Sequence, residues 1–373
     1  MTFTVEESTE IKRLREEIRG GTRVISLGGL TSIASKAFVL SNVQSATKKT
    51  FVIVADSNKD LETWDCDLDF FQSKIQNLKS KIETLPSFET DVYSGISPHA
   101  ETLERRALTL WNLSRAAPDF LILSAKSLIT KTLAPDEVKN LGASLRRDED
   151  FAPEELIEKL ISSGYVREEP LKNVGEFSVR GGILDVLSPT AKNPVRIEFF
   201  GDTVDSIREF DAETQLSVGQ LKEISIAPMR EFTVNSSDFN DWAFFARERF
   251  TDEKQLRAVR DRTDFAAEGE SFSGWEFLIP LVKPRTASVF DYLNDTLFVI
   301  DEPPIVEQSL SGFYETLENR FAEITQAGEI GLEPSELFLS GAELREKLEK
   351  KQRLELRILG KSAAQTDEQI EIS

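Results

Sequence analysis

The sequence predicts an α/β protein that also carries a separate α+β unit. Its first third alternates helix and strand patterns, which is typical of a parallel sheet covered by helices. After Gly164 and Tyr165 this alternation stops, and period-2 strand patterns follow one another closely. A chain of 373 residues is long enough for roughly two or three domains.

The first third has the element order of a phosphate-binding βαβ unit. A charged helix is predicted over residues 6–19, with Ile11, Leu14 and Ile18 on one face, ending at Gly20 and Gly21. A strand at residues 24–27, a glycine-rich turn, a helix at residues 35–43 and a strand at residues 51–55 then follow. A helix at residues 100–113 and a strand at residues 120–124 continue the alternation.

The glycine-rich turn lacks residues that a working phosphate loop needs. That loop reads G-x-x-x-x-G-K-[ST], in which the lysine meets the terminal phosphates and the hydroxyl binds magnesium. If Lys36 is the lysine, Leu30 and Ser35 occupy the glycine positions, and Gly29 is one residue out of register. Ala37 takes the hydroxyl position and cannot bind a metal. We therefore expect a nucleotide-site fold without ATP hydrolysis.

The middle third is predicted to be an α+β insert with its own small core. A helix at residues 153–163 precedes a hairpin within residues 175–187. Strands at residues 195–200 and 204–210 come next, separated by a short turn. An antiparallel sheet beside one helix forms a compact unit of this size.

The hairpin has two open interpretations. Gly175, Gly181 and Gly182 are assigned to its turn, where Gly181 and Gly182 can supply the positive φ of a tight bend. Arg180 then lies at the bend, either as a solvated turn residue or as a contact for a partner. Phe177 falls on the apolar face, so it is either core or an apolar anchor.

Composition excludes several classes of function. The formal net charge is −20, which disfavours non-specific DNA binding. One cysteine, Cys66, and one histidine, His99, exclude a disulfide framework and a Cys- or His-clustered metal site. We expect no signal peptide and no membrane span, and therefore a soluble, cytoplasmic protein.

Four motifs in the middle third carry a family resemblance. They are Gly-Tyr-Val-Arg at 164–167 and the runs 175–185, 194–202 and 205–211. In order and spacing they resemble the N-terminal region of the bacterial transcription-repair coupling factor, Mfd. That region is similar to the first domains of the excision-repair helicase subunit UvrB. Residues 272–280 and 288–293 extend the resemblance into the final third.

The resemblance implies a domain plan. Residues 1–132 would be the first part of a degenerate P-loop-like α/β domain, and residues 133–229 the UvrA-interaction domain. Residues 230–340 would complete the UvrB-like module, so that one parallel sheet is assembled from two chain segments. Residues 341–373 are expected to form a charged helix and then a polar tail or linker.

The resemblance also implies a function, which is recruitment of UvrA in nucleotide excision repair. The implied UvrA-binding residues are Arg167, Phe177 and Arg180. In a full-length protein the further partners would be the C-terminal regulatory domain and, through other modules, RNA polymerase and DNA. This chain has no second P-loop and no helicase motif series, so we expect it not to be an enzyme by itself.

No cofactor is expected in this chain. ATP and magnesium belong to the motor domains of the parent family. Asp301 and Glu302 end an apolar strand in the manner of a Walker B motif, but the altered loop around Gly29 and Lys36 leaves them without a working partner. They are expected to be remnants of a nucleotide site or structural caps.

Two alternatives stay open. One is a UvrB-like ATPase acting on damaged DNA, for which the loop at residues 85–95 offers only Phe88 and Tyr93 as aromatic residues. The other is an autoinhibitory regulatory module of a larger coupling factor.

Overall fold

The computed structural model describes residues 8–76, 80–358 and 366–372, without the side chains of residues 75 and 76. In chain order the strands are β1 (Val24–Gly28), β2 (Thr50–Ala55), β3 (Ile82–Leu85), β4 (Phe120–Ser124), β5 (Ala143–Arg146), β6 (Val166–Arg167), β7 (Glu176–Arg180), β8 (Ile183–Val186), β9 (Val195–Phe200), β10 (Thr203–Phe210), β11 (Ser217–Leu221), β12 (Glu223–Ile226), β13 (Thr296–Asp301), β14 (Gln352–Arg357) and β15 (Glu368–Glu371).

The helices, in the same order, are α1 (Thr9–Gly20), α2 (Ile33–Thr47), α3 (Leu61–Gln76), α4 (Ala100–Arg115), α5 (Ala125–Ile129), α6 (Pro135–Lys139), α7 (Pro153–Ser162), α8 (Ser236–Arg249), α9 (Leu256–Ala266), α10 (Pro303–Ala327), α11 (Pro334–Leu337) and α12 (Gly341–Glu349). Within the described ranges, none of them combines the length and the apolar character that a bilayer crossing requires.

A seven-stranded parallel sheet is assembled from both ends of the chain, in the order β15-β1-β14-β13-β2-β4-β3. Strands β1, β2 and β4 are buried along their whole length, which explains their continuous apolar sequences. Helices α1, α2 and α3 cover one face with a core that includes Leu14, Leu40 and Trp64. The other face packs on α4, α5, α8 and α10. The predicted α/β alternation is confirmed.

The inserted domain is built on a second, six-stranded sheet in the order β11-β10-β9-β8-β7-β6. Its pairs are antiparallel except β6 with β7, and β5 pairs with β12 in a small separate ladder. Leu156 and Leu160 of α7 pack with Phe177 and Ile197 of the sheet in a core of their own. The α+β character predicted for the middle third is therefore confirmed.

The structure corrects the prediction of a polar tail. After α12 the chain enters β14, which lies between β1 and β13 inside the parallel sheet. Its sequence reads as polar because only Leu354 and Leu356 face the apolar layer with α1 and α2. Residues 366–372 then add β15 at the sheet edge, while residues 359–365 and 373 of the predicted tail lie outside the described residues.

The amino-terminal helix also differs slightly from its prediction. Helix α1 begins at Thr9, because the Ser8 side chain accepts a hydrogen bond from the Ile11 amide and caps it. Gly21, at φ 82°, ends the helix as predicted. Residues 6 and 7 of the predicted helix lie outside the described residues.

Candidate functional site

Lys36 lies in the first turn of α2, which directly follows the glycine-rich turn. Ser32 caps that helix and forms a reciprocal capping box with Ser35. The Ser35 hydroxyl also donates to the Ser32 carbonyl at 2.8 Å. The residue at the second glycine position of a phosphate loop therefore serves here as part of a helix cap.

The Lys36 ammonium is held by two carboxylates from the far end of the chain. Its Nζ lies 2.6 Å from Asp301 Oδ1 and 3.1 Å from Glu302 Oε1. The lysine is only 3% exposed. Asp301 ends β13, and Glu302 adopts φ 52° at the start of α10. The structure thus brings together three of the four residues predicted for the nucleotide site.

Lys36, Asp301 and Glu302 form an ion-paired cluster in which one cation contacts two carboxylates. Burial raises the pKa of Asp301, and the contact with Lys36 opposes that shift. Glu302 Oε1 accepts a second hydrogen bond, from the Ile358 amide at 2.9 Å. Because both carboxylates already contact the ammonium, Lys36 would have to leave them to meet a phosphate. Within the described ranges, no group of three or more His, Cys, Asp or Glu residues could hold a metal ion.

Gly29 has a packing role at the edge of the sheet. It adopts φ +89°, and a Cβ built on it would lie 2.0 Å from the carbonyl oxygen of Ile372. The Ile372 amide donates to the Gly28 carbonyl at 3.1 Å. Glycine is thus required here because another backbone segment lies directly against the loop.

The second predicted site is the hairpin of the inserted domain. Arg180 pairs with Ile183, so Gly181 and Gly182 form the connection between β7 and β8. Gly181 has φ +60°, and a Cβ on Gly182 would lie 3.0 Å from the Phe199 carbonyl oxygen. Both glycines therefore lie where a tight turn needs them.

Gly175 does not lie in the turn, contrary to the prediction. It precedes β7 at the opposite end of the hairpin, where its amide donates to the Leu187 carbonyl at 2.8 Å. It has φ +84°, and a Cβ there would lie 2.6 Å from Met229 Cε. Close packing and a left-handed backbone explain this glycine.

The two predicted arginines occupy the exposed edge of the six-stranded sheet. The Arg180 side chain is 61% exposed and forms an ion pair with Glu169, which is itself 51% exposed. Arg167 Nη2 donates to the Val179 carbonyl at 3.3 Å. The register places Arg167 beside Phe177, whereas Arg180 falls on the alternate face. The arginines are neighbours at this edge but do not share one face.

Phe177 is a core residue, so its interpretation as an exposed anchor is wrong. Its exposed fraction is 0%, and it packs within the core of the inserted domain. The period-2 pattern allowed this outcome, because Phe177 and Val179 alternate with Ser178 and Arg180. A partner could reach Phe177 only if this core opened.

An exposed aromatic residue that the sequence reasoning missed lies near the turn. Phe200 ends β9 and is 83% exposed. Ile183 pairs with Glu198, and Phe200 is two residues further along on the same face. The sequence could have predicted its exposure. In the period-2 pattern of this strand Phe200 falls on the same side as the polar residues Arg196 and Glu198, and it directly precedes a Gly-Asp turn.

The two aromatic residues of the loop at 85–95 are packed inside the protein. Phe88 is 8% exposed and contacts Phe277 edge-on. Tyr93 is 9% exposed, and its hydroxyl donates to the Leu332 carbonyl at 2.9 Å. Neither ring is presented for stacking on a base.

Comparison with known proteins gives the geometry a family context. Residues 143–232, which contain most of the inserted domain, match the family described as the UvrB interaction domain. The chain is 31% identical to the transcription-repair-coupling factor of Myxococcus xanthus, over 94% of this chain and 30% of that protein. Over most of its length the chain is thus similar to part of the transcription-repair-coupling factors, and it contains the UvrB interaction domain.

Other transcription-repair-coupling factors also match most of this chain, at lower identity. The relative from Rickettsia conorii is 28% identical over 85% of this chain, and that from Bacillus subtilis 26% identical over 80%. The chain spans 28% of the former protein and 26% of the latter. It thus corresponds to less than a third of each relative's length.

Proposed function

We propose that this chain recruits nucleotide excision repair by binding UvrA through its inserted domain. The observation that carries the proposal is that the match to the UvrB interaction domain, at residues 143–232, falls on the insert and not on the parallel sheet. In the longer family members, ATP-driven displacement of stalled RNA polymerase would be performed by other modules. This chain would supply the contact with the repair protein UvrA.

Arg180 is suited to a protein contact. Its ion pair with Glu169 is a surface pair, worth at most about 1 kcal/mol, so a partner carboxylate can replace it. The planar guanidinium can then bind that carboxylate through two hydrogen bonds. Arg167 offers a second guanidinium at the same edge, where β6 is the last strand of the sheet within the described part of the chain.

Phe200 supplies the apolar component that Phe177 was expected to supply. Aromatic and arginine side chains are frequent in binding hot spots, and the strand register places Phe200 on the sheet face that carries Arg180. Burying a ring that is 83% exposed would provide a larger hydrophobic gain than any other large apolar side chain on this sheet. We therefore include Phe200 with Arg167 and Arg180 in the proposed UvrA-binding surface.

The nucleotide-like site is proposed to be inactive. Lys36 is neutralised by Asp301 and Glu302, and Ala37 offers no metal ligand. These features support a structural role over the alternative of a UvrB-like ATPase. The packed positions of Phe88 and Tyr93 likewise argue against a clamp for damaged DNA.

Biolayer interferometry with immobilised UvrA tests the proposal. Arg180→Glu and Phe200→Ser are each expected to weaken binding by about thirty-fold, the equivalent of roughly 2 kcal/mol. Arg167→Glu should also weaken binding to UvrA.

Lys192→Glu is the matched control, because Lys192 is an exposed cation on the loop between β8 and β9, at the other end of the hairpin from Arg180. Lys192→Glu makes the same charge change as Arg180→Glu, and this variant should bind UvrA as tightly as the unaltered chain does. If the unaltered chain does not bind UvrA, the proposed function is wrong. If it binds and the arginine variants bind equally well, only the assigned surface is wrong.

A further inference from the structure

A cavity of about 270 Å³ is lined by residues that lie outside the inserted domain. One wall is the loop at residues 87–92. The opposite wall is a single face of α10, where Phe313, Leu317 and Arg320 follow helical spacing. Most of the surface is apolar, from Phe88, Val92, Phe313, Leu317 and Phe338.

Lys126 lines this cavity, and its ammonium faces an aromatic ring instead of an anion. The residue is partly buried on α5, and its Nζ lies 5.1 Å from the centroid of the Phe313 ring. Among the residues that the structure describes, its ammonium makes no ion pair and no hydrogen bond. A cation that is partly removed from water beside apolar walls is strongly favoured to accept an anionic partner.

The other charged groups of the cavity do not neutralise Lys126. Arg320 contacts Asp91 Oδ2 at 3.0 Å and Glu323 Oε2 at 2.7 Å, so its charge is already balanced. Glu89 is exposed at the rim and makes no ion pair within the described part of the chain. The cavity therefore combines an apolar interior with a lysine that has no anionic partner within the described residues, while the unpaired carboxylate of Glu89 lies exposed at the rim.

We propose that this cavity binds a compact apolar molecule carrying one carboxylate, with its apolar body against Phe313 and Leu317 and its carboxylate on Lys126. The volume is near the lower end for ligand sites and fits a group of roughly ten to fifteen non-hydrogen atoms. A charge-assisted hydrogen bond to Lys126 would orient the ligand, while the walls would provide hydrophobic affinity. This site is separate from the proposed UvrA surface and does not depend on it.

Isothermal titration calorimetry with three phenylalkyl probes of similar length tests the proposal. They are 4-phenylbutyrate, 4-phenyl-1-butanol and 4-phenylbutylamine, which differ in charge at the same end. The carboxylate should bind about tenfold more tightly than the alcohol, since it alone forms the charged contact with Lys126. The amine should bind more weakly than either.

Variants locate the site and isolate the charge. Lys126→Met should reduce carboxylate affinity about tenfold, to that of the alcohol, and leave alcohol affinity unchanged. Glu89→Gln is the rim control and should not weaken the carboxylate. Thr316→Trp, at an exposed position of the cavity wall, should remove binding of all three probes.

The proposal is overturned if the carboxylate shows no binding at millimolar concentration, if it binds no more tightly than the alcohol, or if Lys126→Met keeps the full carboxylate preference. Retained binding of all probes by Thr316→Trp would show that they occupy a different place, which also contradicts the assignment.

Discussion

At the scale of single residues, the buried Lys36 determines what the predicted nucleotide site can do. The side chain is 4% exposed, and its two carboxylate partners are 13% and 19% exposed. Charges at this depth are stable only as a matched set, since each one alone would carry an uncompensated desolvation cost. Lys36, Asp301 and Glu302 therefore form a structural unit that joins α2 to β13 and α10.

Replacing Lys36 by methionine should destabilise the protein by about 3 kcal/mol, because it leaves two partly buried carboxylates without a cation. The loss should also become dependent on pH. Burial already raises the pKa of Asp301, and loss of Lys36 removes the contact that opposes the shift. A raised carboxyl pKa means that the folded state holds the proton more tightly, so stability is greatest at low pH and falls as pH rises through the raised pKa.

Thermal unfolding of Lys36→Met at about pH 5 and about pH 8 measures this effect against the unaltered protein. The difference between the two proteins should be larger at the higher pH. Asp301→Asn is the control, since it keeps Lys36 paired with Glu302 and should cost less. Equal destabilisation of Lys36→Met at both pH values would contradict the proposed role of the carboxylates.

At the scale of elements, the α12–β14 unit completes the parallel sheet. Ser340 and Glu343 cap α12 reciprocally, and the cap places Leu344 against the core beneath the helix. The chain then turns within two residues into β14, which fills the position between β1 and β13. A helix of only nine residues depends on such a cap, since its isolated stability is marginal.

Ser340→Ala should therefore lower the free energy of unfolding by about 1 kcal/mol, measured by urea unfolding. Ser311→Ala, at an exposed position inside α10, is the control and should change it by less than about 0.5 kcal/mol. Hydrogen bonds from the Ser340 amide and then from its hydroxyl lower the pKa of Glu343. Glu343 therefore contributes stability above its usual pKa, and that contribution is lost as pH falls through the lowered value. An unchanged midpoint for Ser340→Ala would exclude this capping role.

At the scale of the whole molecule, a buried ion pair connects the parallel-sheet domain to the chain that returns from the insert. Arg106 of α4 is 0% exposed at its side chain, and Glu231 is 3% exposed. Arg106 Nη2 lies 3.3 Å from Glu231 Oε2, and Nη1 donates to the Pro86 carbonyl at 2.6 Å. Burial also lowers the pKa of the nearby Arg285 to about 10. The junction thus depends on charges that must be matched.

A double-mutant cycle tests this junction. Arg106→Met and Glu231→Met should each cost about 3 kcal/mol, because each leaves one buried charge unpaired. The double variant should lose clearly less than the sum, since neither member of the pair is then left without the other. Trp fluorescence during urea unfolding can report the transition. Additive losses would show that the two side chains act independently.

Much of the fold could be predicted from the sequence, because its signals are local. The strand at Phe120–Ser124 is continuous apolar sequence, and the helix ending at Gly21 has both its face and its stop signal in the sequence. Strand β14 could not be predicted in this way. It has only two buried apolar positions, Leu354 and Leu356, and its place in the sheet is created by β1, more than three hundred residues earlier, and by β13.

For the candidate sites, too, some features could be predicted from the sequence and others could not. The sequence alone determined the hairpin, its glycine turn and the exposed position of Arg180, since these depend on period-2 alternation and on the backbone freedom of glycine. Only the tertiary structure decided that Phe177 is core, that Phe200 is exposed, and that Lys36 meets Asp301 and Glu302. Burial and ion pairing depend on which distant elements pack together, and one stretch of sequence does not contain that information.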